Sequence, residues 1–384
     1  MKVISDIEDL RRIAQKKVPK MFYEFADSGS WTESTYRANE NDFKNVLFRQ
    51  RVGVPIGNRL LKTQMIGTDV SMPLCISPVG MAGMIHPDGE ILAAKAAVSN
   101  GIRYTLSTLS VCSLEDIQKT IKKPFWFQLY VMKDKNFMLA LIDRAKAAGC
   151  DALILTMDLA VIGNRFKDAK NGLSTPPKLT LSNIINMMTK TQWCLGMMKT
   201  RRHNLGNIIG HAKGVDDMKS LSSWTAEQLN PELSWSDIEW IKKHWGGKLV
   251  IKGILDPEDA KIAVSSGADA IIVSNHGGRQ LDGAPSTVSV LANIVDTVGS
   301  YSEVWMDSGI RTGQDILKAV ALGAKGAMIG RAYLWGLGAY GEKGVNIALD
   351  ILRKELDTTM GFCGQTDINC VDRSVLLENS IPKV

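Results

Sequence analysis

The stretch IIVSNHGGRQLDG at residues 271–283 decides the fold. Its apolar, β-branched start stops abruptly at a polar, glycine-rich loop, and such a run is typical of a parallel strand buried on both faces. The loop places His276 and Arg279 three residues apart at the end of the predicted strand. A histidine can accept a proton near neutral pH, and an arginine can clamp a carboxylate with two parallel hydrogen bonds. The stretch therefore indicates chemistry on a small acid that carries a hydroxyl beside its carboxylate.

The same kind of apolar run recurs along the chain and alternates with alanine-rich helical patterns. Helices are predicted over residues 90–100, 136–148, 257–266 and 313–322, and a glycine follows each of them. Eight strand–helix units at this spacing predict an α/β fold of the (β/α)₈ TIM-barrel type, with a doubly wound sheet as the alternative. The eight predicted strands are residues 73–77, 103–107, 125–130, 152–156, 249–252, 270–274, 303–307 and 326–330.

A helical lead-in precedes the barrel. Ser5 and Glu8 have the spacing of a capping box, which predicts a helix over residues 5–17, and a second helical segment follows at 20–27. We expect one domain over residues 1–384, with the barrel at about 73–340 and a long loop at about 169–232.

That loop, which follows the fourth predicted strand, has an unusual composition. Residues 169–215 contain no Asp or Glu, but they carry seven Lys or Arg side chains among leucines, isoleucines and methionines. Two interpretations stay open: an anchor that lies in a membrane interface, or a mobile lid over the active site. Nucleic acid is not expected as a partner, because aromatic side chains are too sparse to stack bases.

The bulk composition is that of a globular protein. The 384 residues are 45% hydrophobic and 22% charged, with a net charge of +6. This charge permits an anionic substrate or an anionic membrane surface and requires neither. The six cysteines form no CxxC pair, so we expect reduced, mostly buried thiols and no metal site. No window approaches the ~18 apolar residues of a membrane span.

Catalytic side chains of a barrel lie at the carboxyl ends of its strands. Read in that order, the chain offers a set of polar and flexible residues whose joint occurrence points to one site. They are Val79 and Gly80 after the first strand, Ser107, Gln128 and Tyr130, Thr156, Asp158 and Arg165, Lys252, then Ser274, His276 and Arg279.

The last two strand ends have a separate meaning. Asp307, Gly309 and Arg311 follow the seventh strand, and Gly330 and Arg331 follow the eighth. Glycines let backbone N–H groups approach an anion, and barrels often bind phosphate after these two strands. A phosphorylated cofactor or substrate is therefore expected.

The chain resembles the FMN-dependent 2-hydroxy-acid dehydrogenase and oxidase family, and within it the bacterial respiratory L-lactate-oxidising branch. The resemblance covers nearly the whole chain. Its motifs are SNHGGRQLD at residues 274–282, FQLYV at 127–131, VIKGI at 250–254 and DSGIRTG at 307–313. It implies FMN as the cofactor and the oxidation of L-lactate, or of a close 2-hydroxy acid, to the 2-oxo acid.

The resemblance also implies roles for the residues. His276 would be the base and Asp158 its partner, while Arg165, Arg279 and Tyr130 would bind the substrate. FMN would be bound by Val79, Gly80, Ser107, Gln128, Thr156, Lys252, Ser274, Asp307, Gly309, Arg311, Gly330 and Arg331. One departure is Phe25, which stands where the family usually has a tyrosine whose hydroxyl helps to bind the carboxylate. We expect Tyr23 to point elsewhere.

The resemblance further implies a membrane quinone as the electron acceptor, peripheral contact with the cytoplasmic side of the inner membrane through residues 169–215, and a homotetramer. The alternatives are a soluble 2-hydroxy-acid oxidase that makes hydrogen peroxide, which would be cytoplasmic, and a flavin-binding protein without turnover. A transfer enzyme for phosphorylated sugars would not need His276 and Arg279 on one loop.

Overall fold

Eight parallel strands form a ring at the centre of this computed structural model, which describes residues 3–173, 180–215, 224, 227–228 and 230–382. All eight predicted strands are confirmed. Two short antiparallel strands precede them. The strands are β1 (Thr63–Met65), β2 (Thr68–Val70), β3 (Leu74–Ile76), β4 (Thr105–Ser107), β5 (Phe125–Tyr130), β6 (Cys150–Thr156), β7 (Lys248–Ile254), β8 (Ala270–Val273), β9 (Glu303–Met306) and β10 (Gly326–Ile329).

The order of hydrogen-bonded strands is β3-β10-β9-β8-β7-β6-β5-β4, and a parallel bridge between Ile76 and Tyr104 brings the two end strands together. The structure is therefore the predicted (β/α)₈ barrel, and not a doubly wound sheet. Trp126 and Trp305 stack inside it with ring centroids 5.0 Å apart, beside other fully buried apolar side chains. Because the interior is filled, a ligand has room only at the ends of the barrel.

Helices surround the barrel. In the described residues they are α1 (Ile7–Lys17), α2 (Lys20–Ala26), α3 (Ser34–Asn41), α4 (Ala82–Ile85), α5 (Gly89–Ser99), α6 (Leu114–Ile121), α7 (Lys135–Ala147), α8 (Phe166–Lys170), α9 (Leu181–Met188), α10 (Thr191–Lys199), α11 (Trp235–Trp245), α12 (Pro257–Ser265), α13 (Thr287–Val298), α14 (Gly313–Ala321), α15 (Arg331–Tyr340) and α16 (Glu342–Phe362). Short 3₁₀ helices cover Asp42–Asn45, Ile368–Cys370, Arg373–Val375 and Glu378–Ser380.

The predicted helix ends are confirmed at four glycines. Gly101, Gly149, Gly267 and Gly323 follow α5, α7, α12 and α14, and all four have positive φ angles. The left-handed conformation is the usual way to end a helix, and glycine adopts it without steric cost.

The predicted cap of the first helix was wrong by one residue. Asp6, not Ser5, is the N-cap of α1, and its carboxylate accepts a hydrogen bond of 2.7 Å from the Asp9 backbone N–H. Ser5 instead donates to the Asp9 side chain, and Glu8 pairs with Arg11. An aspartate is as good a cap as a serine, so sequence alone could not choose between the two neighbours.

The long insertion after the fourth barrel strand is confirmed, but its described residues are not a simple loop. They form α8, α9 and α10, and parts of the segment (174–179, 216–223, 225–226 and 229) lie outside the described residues. Leu181, Ile185 and Met188 recur on one face of α9 and are mostly exposed. None of the helices formed by the described residues is both long and apolar enough to cross a bilayer.

Asp282 attaches the lead-in to the loop after β8. Its carboxylate accepts hydrogen bonds from the backbone N–H groups of Thr32 and Thr35, at 2.9 and 3.0 Å, and from the hydroxyls of Thr32 and Ser34. Burial alone would raise the pKa of Asp282, but these hydrogen bonds hold it well below its usual range. The folded protein therefore favours the ionised carboxylate.

We expect Asp282→Ala to lower the free energy of unfolding by about 1–3 kcal/mol, because a charged acceptor with several donors is lost. Asp350→Ala, which removes an exposed carboxylate from α16, should have little effect. Urea unfolding at neutral pH measures both. Since the Asp282 contribution exists above the unfolded-state pKa near 4 and is lost as pH falls through the lower folded-state pKa, the difference should shrink in acid. Equal stabilities for the two variants at neutral pH would contradict this account.

Candidate functional site

The carboxyl ends of the barrel strands gather the predicted catalytic side chains on one side of the molecule. We call Tyr130, Asp158, Arg165, Lys252, His276 and Arg279 the upper site. Tyr130 ends β5, Lys252 lies in β7, and His276 and Arg279 lie in the loop after β8. Electrostatic interactions link Tyr130 to four members, Lys252, Asp158, Arg165 and Arg279. The sequence placed these residues at the ends of four different strands, and the structure brings them together.

His276 and Asp158 form the centre of the upper site. Nδ1 of His276 lies 2.9 Å from Oδ1 of Asp158. Burial lowers the pKa of His276, and the attraction of Asp158 only partly offsets that effect. Burial would raise the pKa of Asp158, but its interactions with His276 and Lys252 outweigh burial and lower that pKa. The pair therefore combines an ionised carboxylate with a neutral imidazole that donates through Nδ1, which leaves Nε2 able to accept a proton.

Lys252 is a buried cation that two neighbours hold in place. Its Nζ donates to Ser274 Oγ at 2.7 Å and lies 3.2 Å from Asp307 Oδ2. Burial acts to lower the pKa of Lys252, but the carboxylates of Asp307 and Asp158 act more strongly and raise it. The ammonium group thus stays charged in a place where it can compensate negative charge on a bound ligand.

The guanidinium of Arg279 is directed at the lead-in. Its Nη1 donates to the carbonyl oxygens of Phe25 and Ser28, at 2.6 and 3.0 Å, and its Cζ lies 4.9 Å from the centroid of the Phe25 ring. Burial and repulsion from Arg165 and Arg331 push the pKa of Arg279 well below its usual value. Since arginine stays protonated in proteins, this shift means that the site favours the arrival of an anion.

The two arginines predicted at a phosphate already have protein partners. The Arg331 guanidinium donates to the carbonyl oxygens of Ala26, Ser28 and Gly277, at 3.0, 2.8 and 2.9 Å. Arg311 donates to Glu40 at 2.8 Å. The backbone here is nonetheless suited to an anion, because Gly309 has a φ of +93° and α15 begins at Arg331. Phosphate binding at these two loops stays a prediction.

Several contacts of the site were missed by sequence reasoning. The carbonyl groups of Phe25 and Ser28 carry no sequence signal, because any residue supplies one. Asp168 could have been noticed, since it follows Arg165 by three residues and the two side chains lie 3.7 Å apart. Tyr23, as expected, points elsewhere: its hydroxyl donates to Asp27 at 2.8 Å.

The ends of β3, β4 and β5 provide a second group of polar atoms beside the upper site. Ser107 Oγ donates to Gln128 Oε1 at 3.0 Å, whereas Gln128 Nε2 and Ser77 Oγ are buried and have no hydrogen-bond partner in the described part of the chain. Thr156 at the end of β6 is also buried. A Cβ atom at Gly80 would lie 3.2 Å from Leu109 Cβ, so the loop after β3 lies close to the loop after β4. These buried polar groups are suited to a polar ligand on top of the barrel.

Two clefts elsewhere contain none of the predicted site residues. One, of about 730 Å³, lies at the amino ends of the strands near Asp269 and Glu303. The other, of about 810 Å³, lies beside Arg49 and Arg373. The catalytic groups of such barrels lie at the carboxyl ends of the strands. The volume of a cleft alone therefore does not identify the active site of this protein.

Comparisons with known proteins agree with this geometry. The family described as FMN-dependent dehydrogenase matches residues 14–378. An L-lactate dehydrogenase from Pseudomonas syringae pv. syringae is 43% identical over 377 residues, which are 98% of this chain and 99% of that protein. One from Haemophilus influenzae is 42% identical over 382 residues, with the same coverage of 98% and 99%. The crystal structure of the monotopic membrane protein (S)-mandelate dehydrogenase has a TM-score of 0.93 and 34% identity, and the match covers 98% of this chain and 100% of that chain.

The loop after β8 offers a matched pair of glycines that tests how the site is held. Gly278 and Gly283 have φ angles of +69° and +86°. A Cβ atom at Gly278 would lie 2.5 Å from the backbone N of Tyr36, whereas no atom of the described residues lies within 4 Å of one at Gly283. We expect Gly283→Ala to cost only the ~1–2 kcal/mol of a left-handed alanine, and Gly278→Ala to cost more because backbone must move. Thermal unfolding measures this, and equal losses would contradict it.

Proposed function

Since the chain belongs to the FMN-dependent dehydrogenase family, we propose that it oxidises L-lactate, or a closely similar 2-hydroxy acid, to the 2-oxo acid at the upper site. The enzyme is an FMN-dependent oxidoreductase of 2-hydroxy acids. L-Lactate is proposed because relatives that match over nearly their whole length are named for it. The observation that carries the proposal is the His276–Asp158 pair beside two guanidinium groups, since it combines a base with a carboxylate binder.

The polar groups at the top of the barrel fit FMN. The flavin carries carbonyl groups and ring nitrogens, so Gln128 Nε2 and Ser77 Oγ, which have no hydrogen-bond partner among the described residues, would find acceptors. FMN bound there would supply the two-electron acceptor that the oxidation of a 2-hydroxy acid requires. We propose that Lys252 compensates the negative charge that this places on the ring. The other ring and ribityl contacts are proposed for Val79, Gly80, Ser107, Gln128, Thr156, Ser274 and Asp307.

The phosphate of FMN is assigned to the loops after β9 and β10. Gly309 and Gly330 would allow backbone N–H groups to approach it, and Arg311 and Arg331 would supply positive charge nearby. Because the Arg331 guanidinium is bound to three carbonyl oxygens, we propose that this residue contributes mainly through its backbone N–H at the start of α15.

His276 acts as the base in this proposal. Its Nε2 accepts the proton that the substrate gives up, and Asp158 stabilises the resulting imidazolium through Nδ1. The geometry is suited to this role because Asp158 is ionised and aligned with the ring before substrate arrives. Tyr130 would donate a hydrogen bond to the substrate, since burial raises the pKa of its hydroxyl and keeps it protonated.

The substrate carboxylate is assigned to Arg165 and Arg279. Arg279 uses Nη1 for the lead-in carbonyls, so its remaining N–H groups are available to a ligand. Phe25 covers this guanidinium with an apolar ring and provides no hydroxyl. Binding of the carboxylate therefore depends on the two arginines and Tyr130.

Outside the upper site, we propose that the whole chain is one domain and that the enzyme docks on a bilayer through α9 and α10. The exposed side chains of Ile185, Met188 and Met198 would enter the interface, and the exposed Lys199 and Arg201 would attract anionic lipids. The (S)-mandelate dehydrogenase neighbour is described as a monotopic membrane protein, which supports this proposal. Docking on the cytoplasmic side of the inner membrane, a membrane quinone as acceptor, and a homotetramer are proposed from the family resemblance.

The role of His276 is tested with His276→Gln. We expect the variant to retain FMN and to lose roughly 10²–10⁴-fold in kcat, because the base contributes about that much. The wild-type enzyme should be yellow, and its flavin absorbance should bleach anaerobically when L-lactate is added. Stopped-flow spectroscopy follows both proteins. Bleaching of the variant at the wild-type rate would contradict the assignment, and a wild-type protein without flavin would contradict the function.

Membrane docking is tested with Ile185→Glu combined with Met188→Glu. We expect binding to vesicles of phosphatidylcholine and phosphatidylglycerol to weaken on the order of tenfold or more, since each buried side chain contributes about 1.5–3 kcal/mol. The control combines Val52→Glu with Tyr301→Glu, which are also exposed apolar residues but lie elsewhere in the chain. Vesicle flotation measures the bound fraction, and equal losses in both double variants would argue against docking through α9.

A further inference from the structure

Asp168 brings a negative charge to the place where the substrate carboxylate is proposed to bind. It lies in the first turn of α8, and its Oδ2 is 3.7 Å from Nη1 of Arg165. The side chains of Asp168 and Arg165 are only 13% and 15% exposed. Oδ1 of Asp168 is buried and has no hydrogen-bond partner in the part of the chain that the structure describes. This carboxylate is therefore poorly compensated for a group so little exposed to water.

Arg165 is held loosely by its other partners as well. Its Nε lies 3.4 Å from the carbonyl oxygen of Arg279, and its Nη2 lies 3.4 Å from Gln280 Oε1. No strong hydrogen bond thus commits this guanidinium to Asp168 or to the loop after β8. A substrate carboxylate can compete with Asp168 for it.

The charges that face Asp168 come from three elements. Arg165 precedes it at the start of α8, Arg279 reaches it from the loop after β8, and Glu24 faces it from α2. Glu24 itself accepts a hydrogen bond from Asn171 and lies 3.8 Å from Lys20. Burial raises the pKa of Asp168; Arg279 and Arg165 act to lower it without cancelling that effect, and Glu24 raises it further.

We propose that Asp168 takes up one proton from solvent when the substrate carboxylate binds between Arg165 and Arg279. The inference rests on the proposed function, because it needs the two arginines to be the carboxylate site. Two carboxylates that compete for Arg165 in a place of low polarity repel each other, and Glu24 adds further negative charge, so protonation of one of them relieves the repulsion. Oδ1 of Asp168 is the atom to receive the proton, since Oδ2 faces Arg165. In the complex, the ionised carboxylate beside Arg165 and Arg279 is then that of the substrate, and Asp168 is a neutral acid.

This linkage fixes how binding depends on pH. The substrate carboxylate binds more tightly when Asp168 is protonated. The affinity of the enzyme for the substrate should therefore fall as pH rises through a window. This window runs from the pKa of Asp168 in the free protein to its higher pKa in the complex. Within that window the apparent Kd should rise up to tenfold per pH unit. His276 also prefers its protonated form beside an anion, so the effect of Asp168 has to be separated from the effect of His276.

The experiment is calorimetric titration of the FMN-loaded enzyme with pyruvate, the 2-oxo acid expected from L-lactate. Titrations in two buffers of different ionisation enthalpy, neither of them a carboxylate or a phosphate, give the number of protons taken up per anion. Asp168→Asn keeps the size of the side chain and removes its charge and its proton uptake, while His276 stays intact. Asp143→Asn removes an exposed carboxylate from α7 and serves as the control.

We expect the wild type and Asp143→Asn to take up more protons per bound pyruvate than Asp168→Asn does. Within the pH window, this difference should approach one proton per pyruvate. Asp168→Asn should also lower the KM for L-lactate severalfold at the upper end of the window and flatten its pH profile, with little change in kcat. Equal proton uptake in wild type and Asp168→Asn would overturn the inference. A higher KM for the variant at every pH would also overturn it, because Asp168 would then only position Arg165. A wild-type holoenzyme that neither binds pyruvate nor is reduced by L-lactate would overturn the proposed function itself.

Discussion

The concentration of positive charge at one end of the barrel is the constraint on which the rest of the site depends. Lys252 and Arg331 are buried, and Arg279 is only partly exposed. A cation removed from water is tolerated only with a compensating partner, and each of these has a different one. Lys252 has the carboxylate of Asp307, while the two arginines have backbone carbonyl oxygens, which carry only partial charge. The arginines are thus held in place without being neutralised, and an anion can supply what is missing.

The same constraint explains why a helical lead-in is attached to the barrel. Arg279 and Arg331 donate to carbonyl groups of Phe25, Ala26 and Ser28, which lie at the end of α2 and just beyond it. That segment is fixed in turn by Asp27, which accepts hydrogen bonds from Arg11, Tyr23 and Tyr36. A barrel alone would leave the guanidinium groups without these acceptors. The lead-in is therefore a part of the site, although it contributes no predicted catalytic side chain.

Sequence reasoning reached the barrel and most of the upper site because both depend on local patterns. Apolar runs that stop at polar loops show where strands end, and a closed barrel places all such ends together. It could not show that the Arg331 guanidinium is bound by carbonyl groups distant in sequence, since a carbonyl has no residue identity. It also missed the pairing of Arg165 with Asp168, which depends on burial as much as on spacing. Hydrogen bonds between a side chain and a backbone group far away in the sequence are the interactions that sequence reasoning could not predict.

The insertion shows the same division within one segment. The character of its exposed face could be predicted from composition, because apolar and basic residues recur along the segment. Its inward contacts could not: Arg202 pairs with Asp88 and Asp116, and Asn207 donates to the backbone carbonyl of Ser107 and to Ser110 Oγ. Asn207 is fully buried and also accepts a hydrogen bond from the backbone of Leu114. The segment proposed to meet lipid is thus hydrogen-bonded, through Asn207, to the strand end proposed to meet the flavin.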